Sequence, residues 1–350
     1  MTTTLEPPVT RVPAATATRS APLANVGPNW FATVMGTGGV ATAAATLPVH
    51  GRALRSFAEV AWLIALLLLV AVTTVTVVHR RLHPEAARAH LRHPVIGNFY
   101  GAAPMALLTV GTGAVLVGRD LIGLPAALRV GWGCWAVGTV GGLACAAVLP
   151  RRTYALGTPV PAWLMPVVPP MVSAAAGGVL VVHLAPGPGR QTMLAACWVL
   201  FGLALVAALV VTARVVRQVA SHGVGPAALV PTLWILLGPL GQSITAAHAL
   251  GTSEGGHRFA LVYGSAAWLA AVSWLGFSAV ATWRVRPPFG LPWWSLTFPV
   301  GTVVTGTSAL FAMTGLTLFS VSAVGLFVGL VGAWVVVAAS TARHSRRLLA

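Results

Sequence analysis

Lysine is absent from this chain of 350 residues, five residues are acidic, and only 7% are charged. A soluble globular domain carries about 25% charged residues, so the deficit excludes an ordinary water-soluble fold. Glu6, Glu85, Asp120 and Glu254 fall in expected tails or loops, and Glu59 stands near the start of an apolar run. No carboxylate is left at mid-membrane depth. That argues against the carboxylate relays of proton-coupled carriers and the acidic rings of cation channels. Cysteine is scarce as well. Cys134, Cys145 and Cys197 lie in apolar stretches without CxxC or ligand spacing, so neither a disulfide framework nor a thiolate metal centre is expected. HExxH and Walker patterns are missing. His83-Pro84-Glu85 and His93-Pro94 show no metal spacing. The sequence therefore predicts no enzyme, no metal and no cofactor.

What the chain has is apolar length: 57% of its residues are hydrophobic. A bilayer-spanning helix needs about 20 apolar residues, and ten such stretches fit. They alternate in character. Segments rich in Pro, Gly and Thr are expected at about 28–47, 97–117, 161–183, 228–249 and 292–312. Plainer apolar segments are expected at about 56–78, 126–149, 192–213, 258–282 and 316–340. The first kind recurs about every 64–69 residues, a spacing that indicates repeated architecture. Each repeat holds two crossings, so all copies enter in one direction, as parallel repeats around an axis along the membrane normal do. The expected fold is all-α: ten transmembrane helices as five hairpins in a quasi-fivefold ring around a central pore. Residues 1–26 read as a disordered tail, 27–341 as the transport domain and 342–350 as a basic tail.

Proline separates inner from outer helices. Pro104, Pro166, Pro239 and Pro299 lie in the odd-numbered spans, while the even ones have none in their interiors. A proline inside a helix kinks it and frees a carbonyl that lipid cannot satisfy. The odd helices are therefore expected inside, kinked at these four positions. Thr37, Gly38, Gly39, Thr109, Ser173, Gln242, Ser243 and Thr302 are the pore-lining candidates, and His183 and His248 stand near span ends, where a wet vestibule would begin. The even helices, such as 61–72 (AWLIALLLLVAV), face lipid or another subunit.

The net charge of +16 would suggest nucleic acid in a soluble protein. Here the arginines mark topology instead, and no nucleic-acid partner is expected. Fifteen of the 21, including Arg80, Arg81, Arg88 and Arg92, fall on the side that carries both termini. Positive residues favour the cytoplasm, so both termini are expected there, in a plasma (inner) membrane. An uncharged passage flanked by basic loops favours small anions, concentrated locally without tight binding.

Several short motifs carry a resemblance. Pro28-Asn29-Trp30-Phe31 with Met35-Gly36-Thr37-Gly38-Gly39, His93-Pro94-Val95, Pro161-Ala162-Trp163-Leu164, Gly238-Pro239-Leu240-Gly241-Gln242-Ser243 and Thr297-Phe298-Pro299 resemble the tellurite-resistance/dicarboxylate transporter family. That family includes plant slow anion channels, a malate permease and sulfite efflux proteins. The resemblance implies ten helices, a homotrimer and a pore plugged by a phenylalanine on the ninth span, which corresponds to Phe298. The resemblance also admits proton-coupled malate-like carriers and sulfite- or tellurite-related efflux as the alternative function. Reporter fusions test the topology directly: Gly223 and Gly255 should report opposite sides of the membrane, and matching signals would contradict it.

Overall fold

The computed structural model describes Leu23 and residues 26–251 and 254–349. Most of the expected N-terminal tail therefore lies outside the described residues. Among those described there is no strand. The α-helices are α1 (Phe31–Thr46), α2 (Arg52–Leu82), α3 (Pro84–Arg92), α4 (Ala102–Gly113), α5 (Arg119–Ile122) and α6 (Leu124–Thr153). They continue with α7 (Pro169–Val181), α8 (Pro188–His222), α9 (Leu237–Leu250), α10 (Glu254–Val285), α11 (Phe298–Thr314) and α12 (Thr317–Leu349). α12 thus continues through most of the stretch expected as a C-terminal tail.

Eight helical stretches among the described residues are long and apolar enough to cross a bilayer. The first and fifth expected crossings fall short of that length. α1 has 16 residues and α7 has 13. At 1.5 Å per residue α1 rises about 24 Å, less than the bilayer core of about 30 Å. A 3-10 segment adds to its length. Pro28–Trp30 leads into α1, Ile96–Gly101 into α4, Pro161–Leu164 precedes α7, Ala227–Leu236 leads into α9 and Leu291–Leu296 precedes α11. The prolines explain these junctions. Pro104 and Pro239 are the third residues of α4 and α9, Pro299 is the second of α11, and Pro166 lies in the turn before α7. In a first turn the missing N–H costs nothing, because those donors have no intrahelical partner. Three of the four positions expected as kinks within helices thus stand in the first turn of an α-helix, and Pro166 stands in the turn before one.

The five inner helices touch in a closed cycle: α1 on α4, α4 on α7, α7 on α9, α9 on α11, and α11 on α1. Their 3-10 leads touch in the same cyclic order, so the five starts cluster at one end. α2, α6, α8, α10 and α12 pack outside, each against an inner helix. The most apolar stretches of the inner spans containing α4, α9 and α11 are 78%, 67% and 72% buried, against 22–33% for the five outer ones. In α7 every residue but Val179 is buried. Leu67, Val140, Val206 and Val262 on the outer helices are more than half exposed, a surface that suits lipid rather than water.

Tryptophans fasten the two layers. Trp62 of α2 donates to the Val110 carbonyl at 3.1 Å, and Trp135 of α6 to the Ser173 carbonyl at 2.9 Å. Trp268 of α10 donates to Thr307 at 3.0 Å, and Trp334 of α12 to Thr37 at 3.1 Å. Beside the 3-10 end, α3 packs on the end of α2, where His90 stacks on His79 at 5.4 Å. Burial, then the neighbouring His79 and His93, holds His90 below the ordinary imidazole range.

α9 and α11 approach so closely that a Cβ at Gly241 would collide with the backbone of Thr302 and Val303. Backbone cannot yield as a side chain does, and overpacking costs about 1–3 kcal/mol. Gly241→Ala should lower the melting temperature of purified protein by several degrees. Gly238→Ala, where a Cβ meets nothing within 4 Å, should leave it unchanged. Equal melting of the two variants would contradict the packing described.

Candidate functional site

The site begins where α11 begins. Leu291–Leu296 is 3-10, and Thr297 breaks the path at φ −99°, ψ −76°. The Thr297 carbonyl then accepts the first helical bond from Gly301 at 2.9 Å, and the Thr297 hydroxyl donates to Trp294 at 2.7 Å. Phe298 is the first helical residue and is 7% exposed. Its ring lies against Gly39 of α1, where a Cβ would stand 3.4 Å from Phe298 Cδ2.

Two cavities inside the ring meet at this residue. The smaller, about 30 Å³, lies towards the 3-10 end and is lined chiefly by Met35, Phe99, Met105, Leu164 and Ile235. The larger, about 310 Å³, extends towards the C-terminal ends of the inner helices. Phe298 is the residue common to both linings. The narrow part is thus apolar, and an apolar constriction can block ions by dewetting.

The larger cavity is polar on four sides and apolar on the fifth. α1 contributes Thr42 and Thr46, α4 Thr109 and Thr112, α9 Gln242, Thr245 and His248, and α11 Thr302, Thr305 and Ser308. α7 contributes Val172, Ala175, Ala176 and Val179. Most hydroxyl protons are already engaged. Thr109 donates to Met105 at 2.8 Å, Thr112 to Leu108 at 2.9 Å and Thr305 to Thr302 at 2.9 Å, each within its own helix. Thr245 and Thr305 share a further bond of 2.9 Å across helices. Among the described residues, no arginine and no carboxylate lines it, and His248 is the titratable one.

The structure brings four predicted pore residues to this cavity: Gly39, Thr109, Gln242 and Thr302. The other four serve lateral contacts. Thr37 donates to Thr33 at 2.8 Å and accepts from Trp334. Gly38 makes room for Thr109, whose Cγ2 would lie 2.8 Å from a Cβ there. Ser173 donates to the Pro169 carbonyl of its own helix at 3.1 Å, and its carbonyl accepts from Trp135 of α6. Ser243 accepts from Tyr263 of α10 at 2.8 Å. His183 is exposed outside both cavities, whereas His248 lines the larger one. Thr42, Thr46 and Ser308 were not expected. A helical signal would have found them: 39, 42 and 46 on α1, and 298, 301, 305, 308 and 312 on α11, follow the i, i+3, i+7 spacing of one helix face.

The family model described as voltage-dependent anion channel, SLAC1, matches residues 25–342. The sulfite efflux pump SSU1 of Arthroderma otae is 29% identical, covering 92% of each chain. That of Trichophyton rubrum is 27% identical over 82% of each. An uncharacterized transporter of Methanocaldococcus jannaschii, MJ0762, is 23% identical over 88% of this chain and 91% of its own. A continuous match across the whole helical ring places the chain in the voltage-dependent anion channel family.

Proposed function

We propose that this chain carries small anions, inorganic or sulfur oxyanions, across the plasma membrane along the axis of the inner ring. Its ten crossings form five hairpins with quasi-fivefold symmetry, both termini face the cytoplasm, and three copies assemble. The cyclic contacts of the inner helices and of their 3-10 leads support the ring. The arginine asymmetry supports the orientation. The trimer rests on the family resemblance. A cytoplasm-negative potential drives passive anion flow outward, and the name sulfite efflux pump borne by relatives fits that direction.

The observation that carries this reading is Phe298 standing between an apolar neck and a hydroxyl-lined chamber. A ring that blocks the neck makes the resting conductance low. Phe298→Ala should raise anion flux in liposomes well above wild type, and Phe298→Leu should raise it less. Pure packing predicts the reverse, because truncating a buried Phe costs about 3–5 kcal/mol and flux would fall with the yield of folded protein. Reduced or unchanged flux in well-folded Phe298→Ala would remove it as the gate.

A proton-coupled carrier of a malate-like dicarboxylate is the second reading, and His248 at the chamber wall is the observation in its favour. Among the described residues no carboxylate lines the chamber to complete a relay. Flux should therefore persist when the pH gradient is collapsed at fixed voltage. Its disappearance would favour the coupled carrier.

A further inference from the structure

We propose that the histidines around α3 form a proton-operated latch: while neutral, they hold the 3-10 lead of α4, and with it the Phe99 wall of the neck. Acid on the 3-10 side releases the lead and raises conductance. The link to conductance rests on the anion-transport reading above; the latch itself does not. Hydrogen bonds fix the neutral forms. His93 Nδ1 accepts the backbone N–H groups of Val95 and Ile96, each at 3.1 Å. Ile96 opens the lead, so His93 caps its first turn. An imidazolium carries a proton on both nitrogens and can accept neither bond. His79 Nδ1 lies 2.8 Å from the Leu23 carbonyl, which only accepts. Neutral His79 therefore carries its proton on Nδ1. Its Nε2 is buried without a partner among the described residues, and so is His90 Nδ1. A second proton on His79 would be a buried donor with no acceptor, a costly arrangement. The His79 ring is 2% exposed, stacks on His90 at 5.4 Å and lies 5.8 Å from His83. One charge in this stack opposes the next.

The surrounding charges push the same way. The end of α2 presents Arg80 and Arg81, α3 itself carries Arg88 and Arg92, and α6, packed on the lead, ends in Arg151 and Arg152. The Arg80 guanidinium lies over the Tyr100 ring of the lead at 5.2 Å, and the Tyr100 hydroxyl donates to Ala87 of α3 at 3.3 Å. Glu85, the carboxylate of α3, makes no ion pair with His79, His90 or His93 among the described residues. Burial, then His79 and His93, already keeps His90 below the ordinary imidazole range. The released state therefore binds more protons than the latched one. Latching is fully present above the ordinary imidazole value of about 6.5 and weakens as the pH falls below it. The lead carries this change to the path. A Cβ at Gly97 would stand 2.9 Å from the Leu91 carbonyl of α3, and two residues on, Phe99 is 6% exposed and lines the neck.

The test is amide hydrogen exchange of the full chain in proteoliposomes, corrected for the intrinsic effect of pH on exchange. Each histidine that charges only on release multiplies opening about tenfold between about pH 7.5 and about pH 5.5. Peptides covering α3 and residues 95–101 should therefore exchange about tenfold faster or more at the lower pH, while α9 stays unchanged. His93→Asn keeps a side-chain oxygen able to accept from the same N–H groups, and His90→Phe keeps a ring on His79. The double variant should stay protected at the higher pH and respond less than about threefold. His93→Asn alone should shrink the response of residues 95–101. Nitrate flux with equal pH on both sides should rise in acid in wild type and not in the double variant. A flat wild-type exchange profile, or variants that respond as wild type does, would overturn the latch. Exchange that responds while a measurable flux does not would overturn its link to the neck. Absence of flux at every pH beside an intact exchange response would overturn the transport reading and leave the latch standing.

Discussion

In a bilayer, each backbone N–H and C=O must find its partner inside the protein. The rest of this structure follows from that constraint. An outer helix meets lipid on much of its surface, so it must be one uninterrupted ladder. α2, α8, α10 and α12 are such ladders, of 31–35 residues, and α6, of 30, is broken only near its C-terminal end, at Pro150. Departures from the α-helix concentrate where neighbouring protein surrounds them: the five 3-10 leads and the π segment at Ala114–Gly118 all belong to the inner spans. Arg55 donates to two carbonyls of that π segment, Leu116 and Val117.

The same constraint explains how an anion path can exist with no charged side chain among its described lining residues. Hydroxyls bonded back to their own helix are tolerated in a buried wall because their protons are satisfied before any ion arrives. They leave a surface that is polar without being strongly attractive. Conduction needs release as much as binding, and a fixed guanidinium in the chamber would favour binding. The described arginines instead stand towards helix ends and in loops, as the positive charge in α2's last turn, Arg80 and Arg81, illustrates.

Much of the architecture was legible in the sequence because proline and hydropathy report on what surrounds a helix. The one-sided distribution of Pro104, Pro166, Pro239 and Pro299 separated inner from outer spans. Their local role was less legible, since a proline reads alike in a kinked helix and in a first turn, and the 3-10 leads tip the balance to the latter. Individual lining residues were half legible. Thr37 and Ser243 look like pore hydroxyls but accept bonds from Trp334 and Tyr263 of outer helices. Polarity alone does not tell a chamber wall from a lateral contact, whereas helical spacing from Gly39 or Phe298 does. The large cavity volume was not legible, because it depends on how far the five helices stand apart.

The central claim is that one continuous path runs through the ring and is interrupted at Phe298. Cysteine accessibility tests it most directly, in a background lacking Cys134, Cys145 and Cys197. A single cysteine at Thr305, in the chamber, and another at Ala32, beside the neck, are exposed in turn to a membrane-impermeant, negatively charged thiol reagent. The account predicts that the two positions react from opposite sides of the membrane and that labelling position 305 blocks anion flux. Labelling of both from the same side, or no effect of labelled position 305 on flux, would contradict it.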